Sequence, residues 1–146
     1  MPEPTQSFEK HVKLVPLYHY VLFFFVVTTF VGSAVNLYHS VGDHERLYSA
    51  ALIVALSFAG ILTAFFARIF ALKAQDRAIR AEENLRYFVM TGKLMDARLT
   101  VPQIVALRFA SDGELPALAA RALNEKLSSS DIKKAIQHWR ADDWRV

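Results

Sequence analysis

The sequence predicts an all-α protein, a two-helix transmembrane hairpin followed by a small cytoplasmic helical domain. Two stretches of 21 residues, 17–37 and 47–67, contain no Lys, Arg, Asp or Glu. Each would rise about 32 Å as a helix, against a hydrocarbon core of about 30 Å. After residue 71 the chain becomes densely charged, and its apolar residues recur at three- and four-residue spacing, the pattern of short amphipathic helices around a small core.

The first span, LYHYVLFFFVVTTFVGSAVNL, follows Lys10 and Lys13, and so invites comparison with a secretory signal. Its apolar run outlasts the usual hydrophobic region of about 7–15 residues. Phe23 to Phe25 add bulk, and the small residues Gly32, Ser33 and Ala34 are the one cleavage-like feature. A retained helix is the better reading. The second span, LYSAALIVALSFAGILTAFFA, is bounded by Arg46 and Arg68. Two consecutive spans of this length also disfavour a hairpin buried in a soluble bundle.

Charge in the flanks sets the orientation. Lys10 and Lys13 precede the first helix, Arg68, Lys73, Arg77 and Arg80 follow the second, and the turn at 38–46 has one Arg with Asp43 and Glu45. The positive-inside rule then places both termini in the cytoplasm. The expected order is a cytoplasmic segment at 1–16, the first span at 17–37, an outer loop at 38–46, the second span at 47–72 and a cytoplasmic helical domain at 73–146. Tyr18, Tyr20, Tyr38, Tyr48, Phe65, Phe66 and Phe70 fall where interfacial aromatics belong. Gly42 and Asp43 suit the turn, the first by its backbone freedom and the second as a helix cap.

Ala51, Ala55, Ala59 and Thr63 recur every fourth residue in the second span, as do Thr28, Gly32 and Asn36 in the first. Small residues so spaced allow close backbone approach, and the simplest arrangement packs the two stripes together. Arg68, Lys73, Arg77 and Arg80 form a basic collar suited to phospholipid headgroups at the inner leaflet.

The whole chain carries a net charge of +3 and has no cysteine. That excludes disulfides, thiolate catalysis, iron–sulfur ligation and cysteine zinc sites. From Lys73 onward, thirteen Lys and Arg stand against ten Asp and Glu, too even a balance for a nucleic-acid groove. His19 near the inner end of the first span lacks a histidine partner in the second, so an interfacial role is simpler than haem or metal ligation. His39, Asp43, His44 and Glu45 crowd the outer turn, but an ordinary charged turn accounts for them. Ser111, Asp112 and His138 do not make a triad merely by being present, and no phosphate loop, hydrolase elbow or dinucleotide fingerprint occurs. No catalytic, cofactor-binding or metal residue is assigned, no cofactor is expected, and the chain is not expected to be an enzyme.

In the tail, the second helix should continue to Gly92. Thr100 caps a helix opening Val101-Pro102; Leu115, Leu118, Ala119, Ala122 and Leu123 share a face; Ser128 to Ser130 begin a last helix carrying Ile132, Ala135, Ile136 and Trp139. SDGE at 111–114 lacks the oxygen spacing of an EF-hand and reads as a turn. Arg108, Arg121, Trp139, Arg140 and Trp144 are candidates for a docking surface or for the tail core.

ALRFASDGELPALAARALNE at 106–125 and IKKAIQHWRADDWRV at 132–146 resemble an uncharacterised bacterial family of small two-span membrane proteins, some labelled transport permeases. The resemblance implies a hairpin with a helical tail in a bacterial inner membrane, and no activity. Proline commonly follows the first Trp-Arg pair in that family, and Ala141 here is expected to lengthen the last helix.

The leading expectation is a non-catalytic accessory or scaffold subunit, anchored by its hairpin and docking through its tail to a larger membrane complex or to itself. One alternative is a homo-oligomeric transporter or channel component with Thr28, Thr29, Ser33 and Asn36 along a shared path. Another is a redox or metal-binding subunit whose ligands, with His19 or the outer histidines, are completed in trans.

Overall fold

The computed structural model describes residues 6–9 and 14–142. Five helices follow in order: α1, Leu17–His39; α2, His44–Thr91; α3, Val101–Leu107; α4, Leu115–Asn124; and α5, Ser129–Ala135. The first turn and a half of α1, Leu17–Leu22, is π-wound and the rest is α-helical. Among the described residues there is no strand, only an isolated antiparallel bridge between Ala110 and Trp139. Both α1 and α2 are long and apolar enough to cross a membrane. The chain divides into two compact units, Leu14–Ala71 and a second combining Met1–Lys13 with Leu72–Val146. α2 contributes to both.

In the hairpin unit the helices run past the apolar spans at the turn, α1 ending at His39 and α2 starting at His44. Polar side chains there do not end the helices, because the backbone can still bond along the helix; the turn chemistry ends them. Ser40 N–H closes α1 on Asn36 O at 3.0 Å, Gly42 takes φ +98°, and Asp43 Oδ1 accepts from Glu45 N–H at 3.1 Å. That is a left-handed glycine followed by an acidic N-cap.

The helix seam differs from the expected one. Thr28, Gly32, Asn36, Ala51, Ala55, Ala59 and Thr63 are all exposed. The less exposed positions are instead Val26, Phe30, Ser33 and Leu37 on α1, and Leu47, Ala50, Val54, Ser57, Ile61 and Ala64 on α2. Steps of three and four hold a seam along the helix axis, whereas a stripe taken every fourth residue drifts about 40° per step around a helix of 3.6 residues per turn. Small residues still sit at the close approach: Ser33 is 6 % exposed and Ala50 1 %, and the Ser33 and Ser57 hydroxyls lie 2.9 Å apart. The hydroxyls of Thr28 and Thr63 return to Phe24 O and Ala59 O one turn back, which satisfies them within their own helices.

In the second unit α2 ends at a left-handed Gly92 (φ +72°), whose N–H bonds Phe88 O at 2.8 Å. Thr100 opens α3, its N–H donating to Gln103 Oε1 at 2.9 Å, and Gln103 Nε2 donates on to Leu127 O at 2.9 Å. α4 buries Leu115, Leu118, Ala119 and Ala122. It closes with Leu127 N–H on Ala122 O at 3.0 Å and Lys126 at φ +51°, a Schellman closure with lysine where glycine is usual. Ser128 caps α5, accepting from Asp131 N–H. The core joins these helices to Met95, Leu99, Phe109 and Ile136, with Trp139 packed against it.

The last helix is shorter than expected. It stops at Ala135, and Ile136 turns extended with ψ 124°. Residues 138–140 then pair with 109–111: Ser111 N–H bonds His138 O at 3.1 Å, and Arg140 N–H bonds Phe109 O at 2.8 Å. Ala141 therefore lengthens no helix, because the tertiary pairing takes the backbone donors that a helix would use.

Candidate functional site

The charged side chains of the second unit converge around Glu83, which is 5 % exposed on the inner face of α2. One turn on, Arg86 reaches its carboxylate at 2.9 Å, and Arg140 approaches the other oxygen at 3.3 Å. Arg86 also donates to Asp112 through Nε at 2.8 Å and to Ala110 O at 2.8 Å. A second pair lies alongside, Arg108 Nε to Asp142 Oδ2 at 2.8 Å. The Gln6 side chain closes the edge with two 3.0 Å bonds to the backbone of Asp142. A cavity of about 230 Å³ is left among these groups.

Each carboxylate of this constellation faces a guanidinium, and arginine does not serve as a general base at ordinary pH. Its geometry suits clamping: Arg86 ties α2 to the turn that carries Asp112, and Arg140 ties the extended C-terminal segment back to α2. Burial of the Glu83 and Arg86 pair makes it costly to break from one side. Sequence reading missed both residues; their three-residue spacing was visible, but a pair so spaced ordinarily marks a solvated helix face.

The tail residues expected to dock divide. Arg108 is buried, with its guanidinium 4.3 Å from the centroid of the fully buried Phe109 ring, so it belongs to the interior and not to a docking surface. Trp139 is partly buried, with its ring centroid 4.9 Å from that of Phe109, and is likewise a packing residue. Arg140 is half-exposed on Glu83, and Arg121 is exposed on α4, paired with Glu125 at 3.0 Å. Trp144 lies outside the described residues. The SDGE turn is used structurally: Glu114 accepts from His138 N–H at 3.1 Å and meets its Nδ1 at 2.9 Å. Ser111 and His138 meet through a backbone bond, while the His138 ring turns to Glu114 and the Asp112 carboxylate to Arg86.

Beside this closed interior, α2 presents apolar side chains that sequence reading did not single out. Leu85, Phe88 and Val89 are 63 %, 48 % and 75 % exposed, and Leu94 after the helix is 68 % exposed. Ala74, Ala78 and Ala81 continue the exposed face toward the start of the unit. Arg77 and Glu82 flank it, and both are exposed. The signal was present as a three-and-four spacing, but it lay in a helix assigned to leave the membrane.

In the hairpin unit, Arg68 lies 5.8 Å over the Tyr18 ring, and the Tyr18 hydroxyl donates to Ala64 O. His19 keeps its Nδ1 3.0 Å from the backbone of Val15. These residues border an apolar groove of about 290 Å³ that includes Phe23, Ile61 and Phe65. In the second unit, Lys73, Arg77 and Arg80 are exposed along one face of α2. Among the described residues, no three of His, Asp and Glu converge as metal ligands.

No curated protein and no solved structure matches the chain. The model of the Family of unknown function (DUF6526) matches residues 1–146, and the protein belongs to that family.

Proposed function

We propose that this protein is a non-catalytic accessory or scaffold subunit of a membrane assembly, held in a bacterial inner membrane by its hairpin and docking through its C-terminal unit. The observation that carries this reading is the apolar face of α2 beyond the span, where Leu85, Phe88 and Val89 stand exposed beside a core that is otherwise closed. Large apolar side chains clustered on a charged unit mark an interaction surface. The charged cluster, by contrast, is spent on internal clamping.

Membrane insertion is supported by the hairpin's exposed shell, which includes Leu17, Phe23, Leu56 and Phe65, each at least 60 % exposed. Lipid is the solvent that such a surface suits. Lys73, Arg77 and Arg80 after the span, set against the mixed charges of the outer turn, favour cytoplasmic termini. The bacterial setting rests on the resemblance of the two tail segments.

The test is gentle extraction of the native protein from its membrane, followed by the mass and composition of the intact particle. An assembly heavier than one 16.5 kDa chain with its bound detergent is expected. A stable monomer without a partner would overturn the proposal.

A further inference from the structure

The exposed face of α2 has an internal register. Ala74, Ala78, Ala81, Leu85 and Phe88 follow one another by four, three, four and three residues, and all five are exposed. This is the repeat of a coiled-coil core. The residues flanking such a core pair between helices: in a parallel dimer, the position just before one core residue meets the position five residues later on its partner. Here those positions hold Arg77, just before Ala78, and Glu82, just after Ala81. Both are exposed, and their charges are opposite.

We propose that this face is the interface with a second copy of the chain, with the two α2 helices parallel from Ala74 to Phe88. Arg77 of each copy then pairs with Glu82 of the other, twice by symmetry. An antiparallel pairing would set like flanks against each other and lose the match. Rotational symmetry makes one patch sufficient, since each copy offers the same surface. The inference rests on the scaffold reading, because hairpins inserted in one sense present their emerging helices in parallel. Two heptads are short for a free coiled coil, but confinement of both copies to one membrane raises their effective concentration. Alanines let the helices approach closely, and Leu85 with Phe88 supplies most of the apolar area.

The chain has no native cysteine, so single cysteines can map the face in the full chain, in membranes. Disulfides require Cβ atoms within about 4.5 Å, which core positions reach and outward positions do not. Ala78→Cys, Ala81→Cys and Leu85→Cys should give covalent dimers on mild oxidation, several-fold more than Lys73→Cys and Arg80→Cys. In the Ala81→Cys background, Arg77→Glu should reduce the dimer, and adding Glu82→Arg should restore it. Even cross-linking at all five positions, no dimer at any, or indifference to charge reversal would each overturn the proposal. The native particle mass separates the two readings. A heavy assembly without these cross-links removes the second copy and leaves the scaffold, whereas a stable monomer removes both.

Discussion

Replacing Arg86 by methionine should unfold the C-terminal unit more easily than any surface change. The substitution removes the 2.9 Å contact to Glu83, the Nε bond to Asp112 and the bond to Ala110 O. The Asp112 bond adds little, because that side chain is 75 % exposed and exposed pairs contribute about 0–1 kcal/mol. The carbonyl bond adds about 1 kcal/mol. The largest loss is at Glu83, whose buried carboxylate keeps only the half-exposed Arg140 at 3.3 Å. Stripping a buried carboxylate of its partner costs about 3–5 kcal/mol, and the surviving partner lowers that to about 2. The sum is about 3 to 4 kcal/mol. Denaturant unfolding of the full chain in detergent would measure it through the fluorescence of Trp139, packed against Phe109, in a Trp144→Phe background. Glu83→Leu combined with Arg86→Met should recover most of the loss, since an apolar pair of similar volume leaves no buried carboxylate unpaired, and Arg140 and Asp112 stay solvated. A loss below about 1 kcal/mol for Arg86→Met, or a double variant weaker than the single, would show that the cluster is not a clamp.

Ala50→Leu should disturb the hairpin by about 1–3 kcal/mol through overpacking at a buried seam, while Ala55→Leu on the exposed face should change it by less than about 0.5; thermal melts of the purified hairpin signal compare them, and equal effects would return the seam to the expected stripe. Lys126→Gly should stabilise the second unit by about 0.5–1 kcal/mol, because glycine adopts the positive φ of this closure without a Cβ clash, and a lower midpoint in denaturant would contradict that. Asp96 should titrate at about 2, held below its ordinary 3.8 by hydrogen bonds from the Arg98 guanidinium and backbone N–H. Its carboxylate is the depressed kind, so any stability it lends is whole above the ordinary value and fades as pH falls toward about 2. Carboxyl carbon NMR would follow it, and Arg98→Ala should move the midpoint back toward 3.8; an unmoved midpoint would remove Arg98 as the cause.

Local chemistry was the legible part of this fold. Gly42 with Asp43, Gly92, Thr100 with Pro102, and Ser128 each act within a few residues of where they stand, and the structure uses them as helix ends and caps. The α4 face was legible for the same reason, since a helix period is written in one short stretch. What could not be read depended on which distant segment arrives. Ile136 to Arg140 could have continued a helix by composition, but pairing with residues 109–111 took their backbone. Arg108 in a loop usually means a solvated charge, but here it is buried, over the Phe109 ring and paired with Asp142. The hairpin stripe failed differently: two sets of small residues were available, and a sequence alone cannot weigh a drifting stripe against an axial seam.

The segments that make this chain recognisable are used in holding the second unit together. Arg108, Phe109, Ala110, Glu114 and the His138 to Arg140 run are engaged inside the second unit, through ring packing, an isolated bridge and charges paired with Asp142 and Glu83. There the C-terminal segment is held extended against a short helical core. The face of α2 outside that network is compositionally plain, with three alanines, a leucine and a phenylalanine. Plain composition is what close helix pairing asks for, because Cβ-sized side chains and a charge on each flank specify register without any rare residue. The unusual residues make the clamp, while the plain ones that stand exposed on α2 make the face proposed as the interface.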